Sequence, residues 1–435
     1  MNQTGLNSLY QGNFFWQRLP GQQTLRGLEP GQCYLMGYLS NEQALYRQLN
    51  IENDDQQALL NAAVKKWRHE LNRHLFGDYL LINFDGEQLQ LTSSARASFT
   101  LFYRQSQNEQ GQYGLALASN LKQLTQVFDA KINPVQLMQT LALGSLADEH
   151  TCFKQIKQLQ SGETLIWQLA GETRLSHSSN LPVAQQLTLA QNSALPQAEL
   201  IAPRRTDDIE LTELFNRLPS LAHGLGQPLV DASLAHFDAQ VQATDSDTLL
   251  LDISWLSARH ITCEQGIHSS HNWCKSILKR PLLAQRSQLQ YRQQQLVSAY
   301  QTAKQEQNEK LSFSQWLDLH YVIPAWCQLL QGICRLHGKI LVNPYMHAQQ
   351  LIPLVTQAYQ APAAYFSLQQ VSLANVYDAM QRLFYSGEVE TRKLFDLNPL
   401  DTSRLIRREQ DRHRVEQLSV LLLTMDYLTR FHPGH

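Results

Sequence analysis

The chain has 435 residues, a mass of 49.8 kDa and 6 cysteines. At about 150 residues per domain, this length predicts two or three domains and excludes a mini-protein or a disulfide-stapled scaffold. The 36 Lys and Arg residues and 38 Asp and Glu residues leave a net charge of −2, so no net field attracts nucleic acid or an anionic membrane surface. With 43% hydrophobic and 17% charged residues, a globular chain is expected rather than a disordered one.

Residues 1–170 predict a layered sheet domain. The dipeptide Asp85-Gly86 is a hairpin turn signal, and helical spacing of apolar residues marks the segments 55–75 and 133–143. Short apolar runs of strand length lie at 79–84, 89–91, 99–103 and 113–118. Helices are therefore expected to flank a sheet.

The segment 171–206 is rich in Ser, Gln, Asn, Pro and Ala and predicts a linker. Beyond it, residues 248–253 have the pattern of a buried strand, and the other periodic segments are helical: 207–225, 233–243, 282–304, 314–332, 348–359, 375–385 and 412–431. The sequence thus predicts a second, mainly helical domain over residues 207–435.

The start of the chain lacks the basic and apolar regions of a secretory signal, and no apolar run approaches the about 20 residues that span a bilayer. Six cysteines in a chain of this length suit reduced thiols. We expect a cytoplasmic protein with no membrane or nucleic-acid partner.

Ordered segments of the first half resemble the glutaminase domain of the asparagine synthetase family. Residues 34–41 (YLMGYLSN) are similar to the family's FNGEIYN strand, and residues 67–85 are similar to its W…L.GDFAFVLWD segment. Residues 91–103, 114–124 and 151–162 are similar to the family's next segments, in the same order. The resemblance implies an Ntn-hydrolase-like α-β-β-α domain of the class II amidotransferase type.

The second half resembles the same family in fragments, at residues 218–233, 336–351 and 417–431. This resemblance implies a reduced α/β domain of the ATP-pyrophosphatase type after the glutaminase-like domain. The expected fold class is therefore α+β followed by α/β.

The resemblance also shows which glutaminase groups are lost. The family hydrolyses glutamine with an N-terminal cysteine, whereas Asn2 stands here, and an amide cannot replace a thiolate. Met36 replaces an Asn that donates to the oxyanion, while Gly37 and Asp78 match family residues of the glutamine pocket. Gly37 and Asp78 are thus candidate catalytic remnants, or else a packing residue and a strand-end cap.

The nucleotide site is lost more completely. The family's SGGxDS loop has no counterpart, and its second phosphate loop aligns with residues 250–257, where bulky residues replace the glycines. Asp252 alone remains as a Mg²⁺ ligand, or else as a helix cap. We therefore expect no cofactor, neither ATP nor Mg²⁺.

One cluster of potential metal ligands is not explained by the resemblance: His260, Cys263, His268, His271 and Cys274. These residue types suit tetrahedral zinc, although the spacing matches no zinc module known to us. The alternative is surface imidazoles and a buried thiol.

These observations lead to three functional hypotheses. The first is an inactive member of the family that acts by binding, in a homodimer or in a heterodimer with an intact synthetase-like paralogue, with a peptide or amino-acid-derived molecule as a further ligand. The second is an active ATP-dependent amide-bond ligase whose site is completed by a second chain and whose substrate is a peptide or a natural-product intermediate. The third is a zinc-binding interaction protein.

Overall fold

The computed structural model describes residues 15–18, 30–52, 55–94, 97–109, 113–143, 149–168, 173–177, 199–201, 211–229, 233–251, 286–306 and 311–343. Within residues 15–177 the described strands are β1 Phe15–Arg18, β2 Gln32–Leu39, β3 Gly77–Phe84, β4 Gln88–Ser93, β5 Phe102–Gln107, β6 Tyr113–Ala118, β7 Lys157–Gln158, β8 Glu163–Gln168 and β9 Thr173–His177. The helices there are α1 Glu42–Leu49, α2 Gln56–Trp67 with a 3₁₀ turn at Arg68–Arg73, α3 Leu121–Val127 and α4 Pro134–Leu143.

These strands form two antiparallel sheets, which we call the sandwich. The first sheet has the order β2-β3-β4-β8-β9, and the second has the order β1-β6-β5-β7. In the first sheet, residues Gln32 to Leu39 of β2 pair in register with Phe84 to Gly77 of β3. Asp85 holds the β3–β4 turn, because its carboxylate accepts from the backbone N–H groups of Glu87 and Gln88 at 2.9 and 2.6 Å. The predicted turn is confirmed.

The two sheets and the helices on their outer faces form four layers, and an apolar cluster fills each of the three spaces between them. Tyr79 and Leu81 of β3 pack against α1 and α2, whereas their neighbours Leu80 and Ile82 face the second sheet. On the far side, Ala116 and Ala118 of β6 pack against α3. A strand buried on both faces reads as a continuous apolar run, which explains the sequence of β3. The α-β-β-α layering expected from the resemblance is present.

The second region, which we call the parallel-sheet region, covers the described residues from 199 to 343. Its strands β10 Glu199–Ile201, β11 Thr248–Leu251 and β12 Ile340–Val342 form a parallel sheet in that order. Its helices are α5 Leu211–Leu225, α6 Ser233–Ala243, α7 Arg286–Glu306, α8 Phe313–Leu317 and α9 Ile323–Leu336, with a π-helical turn at Asp318–Val322 between the last two. The molecule is thus a mixed α/β protein.

The two regions meet closely where α5 ends beside the start of α3. The side-chain amide of Asn120 donates to the carbonyl of Gly224 at 2.8 Å. Gly226 has a φ of +72°, and a Cβ there would lie 2.7 Å from the Cα of Lys122. A glycine is required because any side chain would push the two backbones apart.

The strand predictions need two corrections. The segment 171–206, predicted as a linker, contains β9, which extends the first sheet, and β10, which pairs with β11. Both strands are short, at 5 and 3 residues, and β9 (TRLSH) is polar, so apolar periodicity did not reveal them. The predicted strand at 248–253 is confirmed as β11, but it has two parallel neighbours that were not predicted. The proposed domain boundaries stay a prediction.

Most helix predictions inside the described residues are confirmed with shifted ends. The helix predicted over 55–75 leaves α-helical geometry at Arg68, whose φ is +47°. The helix predicted over 314–332 is divided into α8, the π-helical turn and α9, and it runs to Leu336. The predicted helices at 348–359, 375–385 and 412–431 lie outside the described residues. None of the described helices is long and apolar enough to cross a bilayer.

Candidate functional site

Gly37 and Asp78, the two described candidate residues from the sequence, are neighbours across the β2–β3 pair. Gly37 pairs with Tyr79, and Tyr38 pairs with Asp78. Gly37 has a φ of +101°, and a Cβ at this position would meet the Asp78 carbonyl and lie 2.9 Å from the ring of Phe99. Only glycine fits this geometry without moving β3 or the loop that carries Phe99.

Asp78 is fully buried at the start of β3, on the face that points between the two sheets. Its carboxylate accepts from the backbone N–H of Ser98 at 2.9 Å and from the Ser98 hydroxyl. Burial raises the pKa of Asp78 to about 7, because these bonds and one from the Phe99 backbone offset only part of the desolvation. The carboxyl group therefore holds the loop after β4 to the start of β3.

The side chains around Asp78 fill the space beside it. Met36 is 2% exposed and packs in the apolar cluster between the sheets. Tyr38 is also 2% exposed, and its hydroxyl has no hydrogen-bond partner among the described residues. Burial, followed by the negative charge of Asp78, raises the pKa of Tyr38 well above its ordinary value. A neutral tyrosine thus lies opposite Asp78, with the Met36 thioether two residues away on the same face of β2.

Two elements of the parallel-sheet region pack against the sandwich, one near Asp78 and one between the sheets. Ile340, the first residue of β12, is 1% exposed and belongs to the apolar cluster between the two sheets. Cys327 of α9 is buried close enough to Asp78 for the carboxylate charge to raise its pKa, after the larger effect of burial. We call this place, where Cys327 of α9 lies near Asp78 and Ile340 of β12 packs in the cluster between the sheets, the closed mouth of the sandwich.

A cleft lies on the other side of α9, between the sandwich and the parallel-sheet region. Its volume is about 110 Å³. The sandwich contributes β5, α4 and the segment before β7, while α5 and α9 form the opposite wall. Its polar lining residues are Thr100, Ser119, Asn120, Gln136, Thr140, His150, Thr151, Gln158, Gln227, Gln328 and Arg335.

Two glutamines join the walls of this cleft. The Gln158 amide donates to the Gln328 side-chain oxygen at 2.8 Å, and the Gln328 amide donates to the Ala97 carbonyl at 3.3 Å. Ala97 precedes Ser98, so Gln328 ties α9 to the same loop that Asp78 holds. Sequence reasoning missed this cleft, since single amides scattered over a glutamine-rich chain carry no motif.

The remaining candidate residues lie outside the described residues: Asp252, His260, Cys263, His268, His271 and Cys274. Within the described part of the chain, no group of three or more His, Cys, Asp or Glu side chains is placed to hold a metal ion. The zinc and Mg²⁺ assignments therefore stay predictions.

Comparisons with known proteins give weak likenesses only. No family model and no curated protein matches the chain. One similar solved structure is the allosteric regulatory enzyme of purine biosynthesis, at 13% identity and a TM-score of 0.26, covering 53% of this chain and 43% of that one. Another is the glutamine phosphoribosylpyrophosphate amidotransferase of B. subtilis with ADP and GMP, at 15% identity and a TM-score of 0.24, covering 46% of this chain and 45% of that one.

The matched parts thus span less than half the length of those two proteins. At such low scores the likeness carries no argument about activity. The layered sandwich stands on its own strand pairing and packing.

Proposed function

We propose that this chain is an amidotransferase-like protein of the asparagine synthetase kind that has lost glutamine hydrolysis and acts by binding a partner. The partner is a second copy of the chain or an intact synthetase-like paralogue. The observation that supports this function most directly is the closed mouth of the sandwich. There, Asp78, Tyr38 and Met36 are buried on one face of the β2–β3 pair. Cys327 of α9 lies near Asp78, and Ile340 of β12 packs in the cluster between the sheets.

The described cysteines support the same proposal. Cys33, Cys152, Cys327 and Cys334 form no disulfides, and burial raises the pKa of each thiol. A nucleophilic cysteine needs the opposite shift, since the thiolate is the reactive form. None of these four thiols is suited to attack a glutamine amide at neutral pH.

Gly37 adds a third argument. Its conformation and the absence of a Cβ are explained by the close approach of the Asp78 carbonyl and the Phe99 ring, without an oxyanion. The matching glycine can therefore remain for packing after the hydrolysis is lost. Met36 at the neighbouring position has a thioether, which donates no hydrogen bond to an oxyanion.

The activity test uses the purified full chain. We expect no glutamine hydrolysis, no ATP-dependent release of pyrophosphate and no increase in melting temperature with ATP and Mg²⁺. A ligand present at about 100 times its Kd should stabilise the protein by about 2.7 kcal/mol, so a nucleotide site would be visible in this assay. Activity that disappears in Asp252→Asn would contradict the proposal and favour the ligase hypothesis.

The binding test asks what the chain associates with. Light scattering coupled to size-exclusion chromatography should show a dimer, or affinity purification from the native cell should recover an intact synthetase-like protein in stoichiometric amount. A chain that stays monomeric and recovers no such protein would contradict the partner-binding function.

A further inference from the structure

Two side-chain amides line the cleft from its opposite walls. Gln136 lies on α4 of the sandwich, and Gln227 follows the end of α5 in the parallel-sheet region. Gln136 is only 9% exposed, yet among the described residues neither its side-chain amide nor that of Gln227 has a hydrogen-bond partner. Because a buried polar group without a partner costs free energy, the two amides mark a place where a ligand can bind.

The backbone segments that carry these amides are held in place. The Thr140 hydroxyl donates to the Gln136 backbone carbonyl at 2.9 Å, one turn along α4. The backbone N–H of Gln227 donates to the Ala222 carbonyl at 3.2 Å, directly after the close approach of Gly226 to α3. A ligand therefore has to order only the two side chains, which lowers the entropy cost of binding.

The lining of the cleft favours an uncharged molecule. No Asp, Glu or Lys occurs among the described lining residues. The His150 ring lies 3.3 Å from the Glu149 carboxylate, and Arg335 already interacts with other groups of the protein. A charged ligand would leave water without a counter-charge in the cleft, which is unfavourable.

The chemistry of a glutamine side chain determines which polar edge can pair with it. Each amide presents an N–H donor beside a C=O acceptor, so its complement is an N–H and a C=O on one edge of the ligand. A carbonyl flanked by two N–H groups, as in a cyclic urea, has two such edges and can serve both walls. The cleft volume of about 110 Å³, below the several hundred Å³ typical of drug-sized ligands, suits a single small ring.

We propose that this cleft binds a small uncharged cyclic urea. Gln136 pairs with one edge of the urea and Gln227 with the other, while the carbon atoms of the ring contact Leu225, Leu329 and Leu336. The bound molecule touches both regions of the fold and so stabilises their contact.

The test compares three probes of similar ring size. Imidazolidin-2-one carries both N–H groups, its N,N′-dimethyl derivative keeps the carbonyl but has no donor, and 2-iminoimidazolidine is a cation at neutral pH. Each probe is titrated into the full chain, and binding is followed by saturation-transfer NMR. We expect imidazolidin-2-one to bind saturably and about tenfold more tightly than either of the other two, which corresponds to about 1.4 kcal/mol.

Two variants assign the groups, and a third serves as control. Gln136→Met and Gln227→Met keep the length of the side chain but remove the amide, so each should abolish the preference for imidazolidin-2-one over its dimethyl derivative. Circular dichroism of both variants verifies that the fold is kept, and Gln227 is the less buried of the two positions. Gln126→Met, at an exposed position of α3, should leave all three affinities unchanged.

Three results would overturn the proposal. They are the absence of saturable binding of imidazolidin-2-one, equal affinity for the dimethyl derivative or the cation, and a preference for imidazolidin-2-one that survives in either glutamine variant. These results are separate from the function proposed above, since a chain that dimerises or binds a paralogue can still fail to bind a urea.

Discussion

Two adjacent residues of α9 face two different environments. Cys327 lies near Asp78 at the closed mouth of the sandwich, while Gln328 lines the cleft and joins its walls. Both side chains are buried, at 2% and 8% exposure. The difference therefore lies in what surrounds them, which is apolar packing around one carboxyl group at the mouth and a set of hydroxyls and amides in the cleft.

The helix α9 thus packs against the buried Asp78 on one side and forms a wall of the cleft on the other. At the mouth, apolar side chains of β2, β3 and β12 belong to one buried cluster, and a buried carboxyl group is held by Ser98. In the cleft, hydrogen-bonding groups remain beside open volume. Substitutions at the mouth should therefore lower stability more than substitutions in the cleft.

The largest effect is expected from Gly37→Ala at the mouth. The new Cβ would meet the Asp78 carbonyl and the Phe99 ring, and the backbone would keep an unfavourable φ of +101°. We expect the free energy of unfolding to fall by about 4 kcal/mol or more, measured by urea denaturation.

Gly31→Ala is the matched control for this change. Gly31 also has a positive φ of +80°, but nothing lies within 4 Å of its Cβ position. It should lose only about 1 kcal/mol from backbone strain. Equal losses in the two variants would show that the close approach to β3 is unimportant.

Asp78→Asn should change the pH dependence of stability. The pKa of Asp78 is raised from 3.8 to about 7 in the folded protein, so the native state holds a proton that the unfolded state has released. The free energy of unfolding therefore falls as pH rises from about 4 to 7, by an amount on the order of 4 kcal/mol. The variant lacks this proton and should lose that part of the slope.

The measurement is a set of urea denaturation curves between pH 4 and pH 8 for both proteins. Relative to the wild type, Asp78→Asn should become steadily more stable as pH rises, whereas Asp245→Asn, at an exposed position, should leave the slope unchanged. Parallel curves for the wild type and Asp78→Asn would mean that the carboxyl group is ionised in the folded protein.

Ile340→Ala tests whether the parallel-sheet region helps to form the core of the sandwich. Ile340 is 1% exposed in the cluster between the sheets. Truncation should cost about 3 kcal/mol, from lost burial and the cavity left behind. Hydrogen exchange should show weaker protection in β3 and β4 as well as in β12.

Val127→Ala is the control for this truncation. Val127 is 48% exposed, and its truncation should lower the free energy of unfolding much less. Unchanged protection in β3 would show that β12 does not support the sandwich.

The sequence predicted the elements of the sandwich better than its contacts. The run YLLINF of β3 and the Asp85-Gly86 turn carry their own local signals, because alternating burial and turn chemistry act over a few residues. The short strand β9 is polar and is fixed only by pairing with β8, so no local pattern marks it.

The site shows the same limit. Asp78 was identified through the Gly-Asp landmark of a family, whereas Cys327, which lies near it, is about 250 positions away in the chain. The cleft depends on such distant pairing entirely, since Gln158 and Gln328 are 170 residues apart. Contacts over such separations follow from tertiary packing and leave no spacing to recognise.

The smallest effect is expected at the cleft, from Gln328→Met. This change keeps the length of the side chain but removes the bonds to Gln158 and to the Ala97 carbonyl. Because Gln158 lines the open volume of the cleft, water can replace its lost bond, and the free energy of unfolding should fall by only about 1 kcal/mol. Gln305→Met, at an exposed position of α7, is the matched control and should stay within about 0.5 kcal/mol of the wild type. A loss as large as that of Ile340→Ala would mean that the cleft is a packed junction like the mouth, because a solvated amide cannot contribute so much.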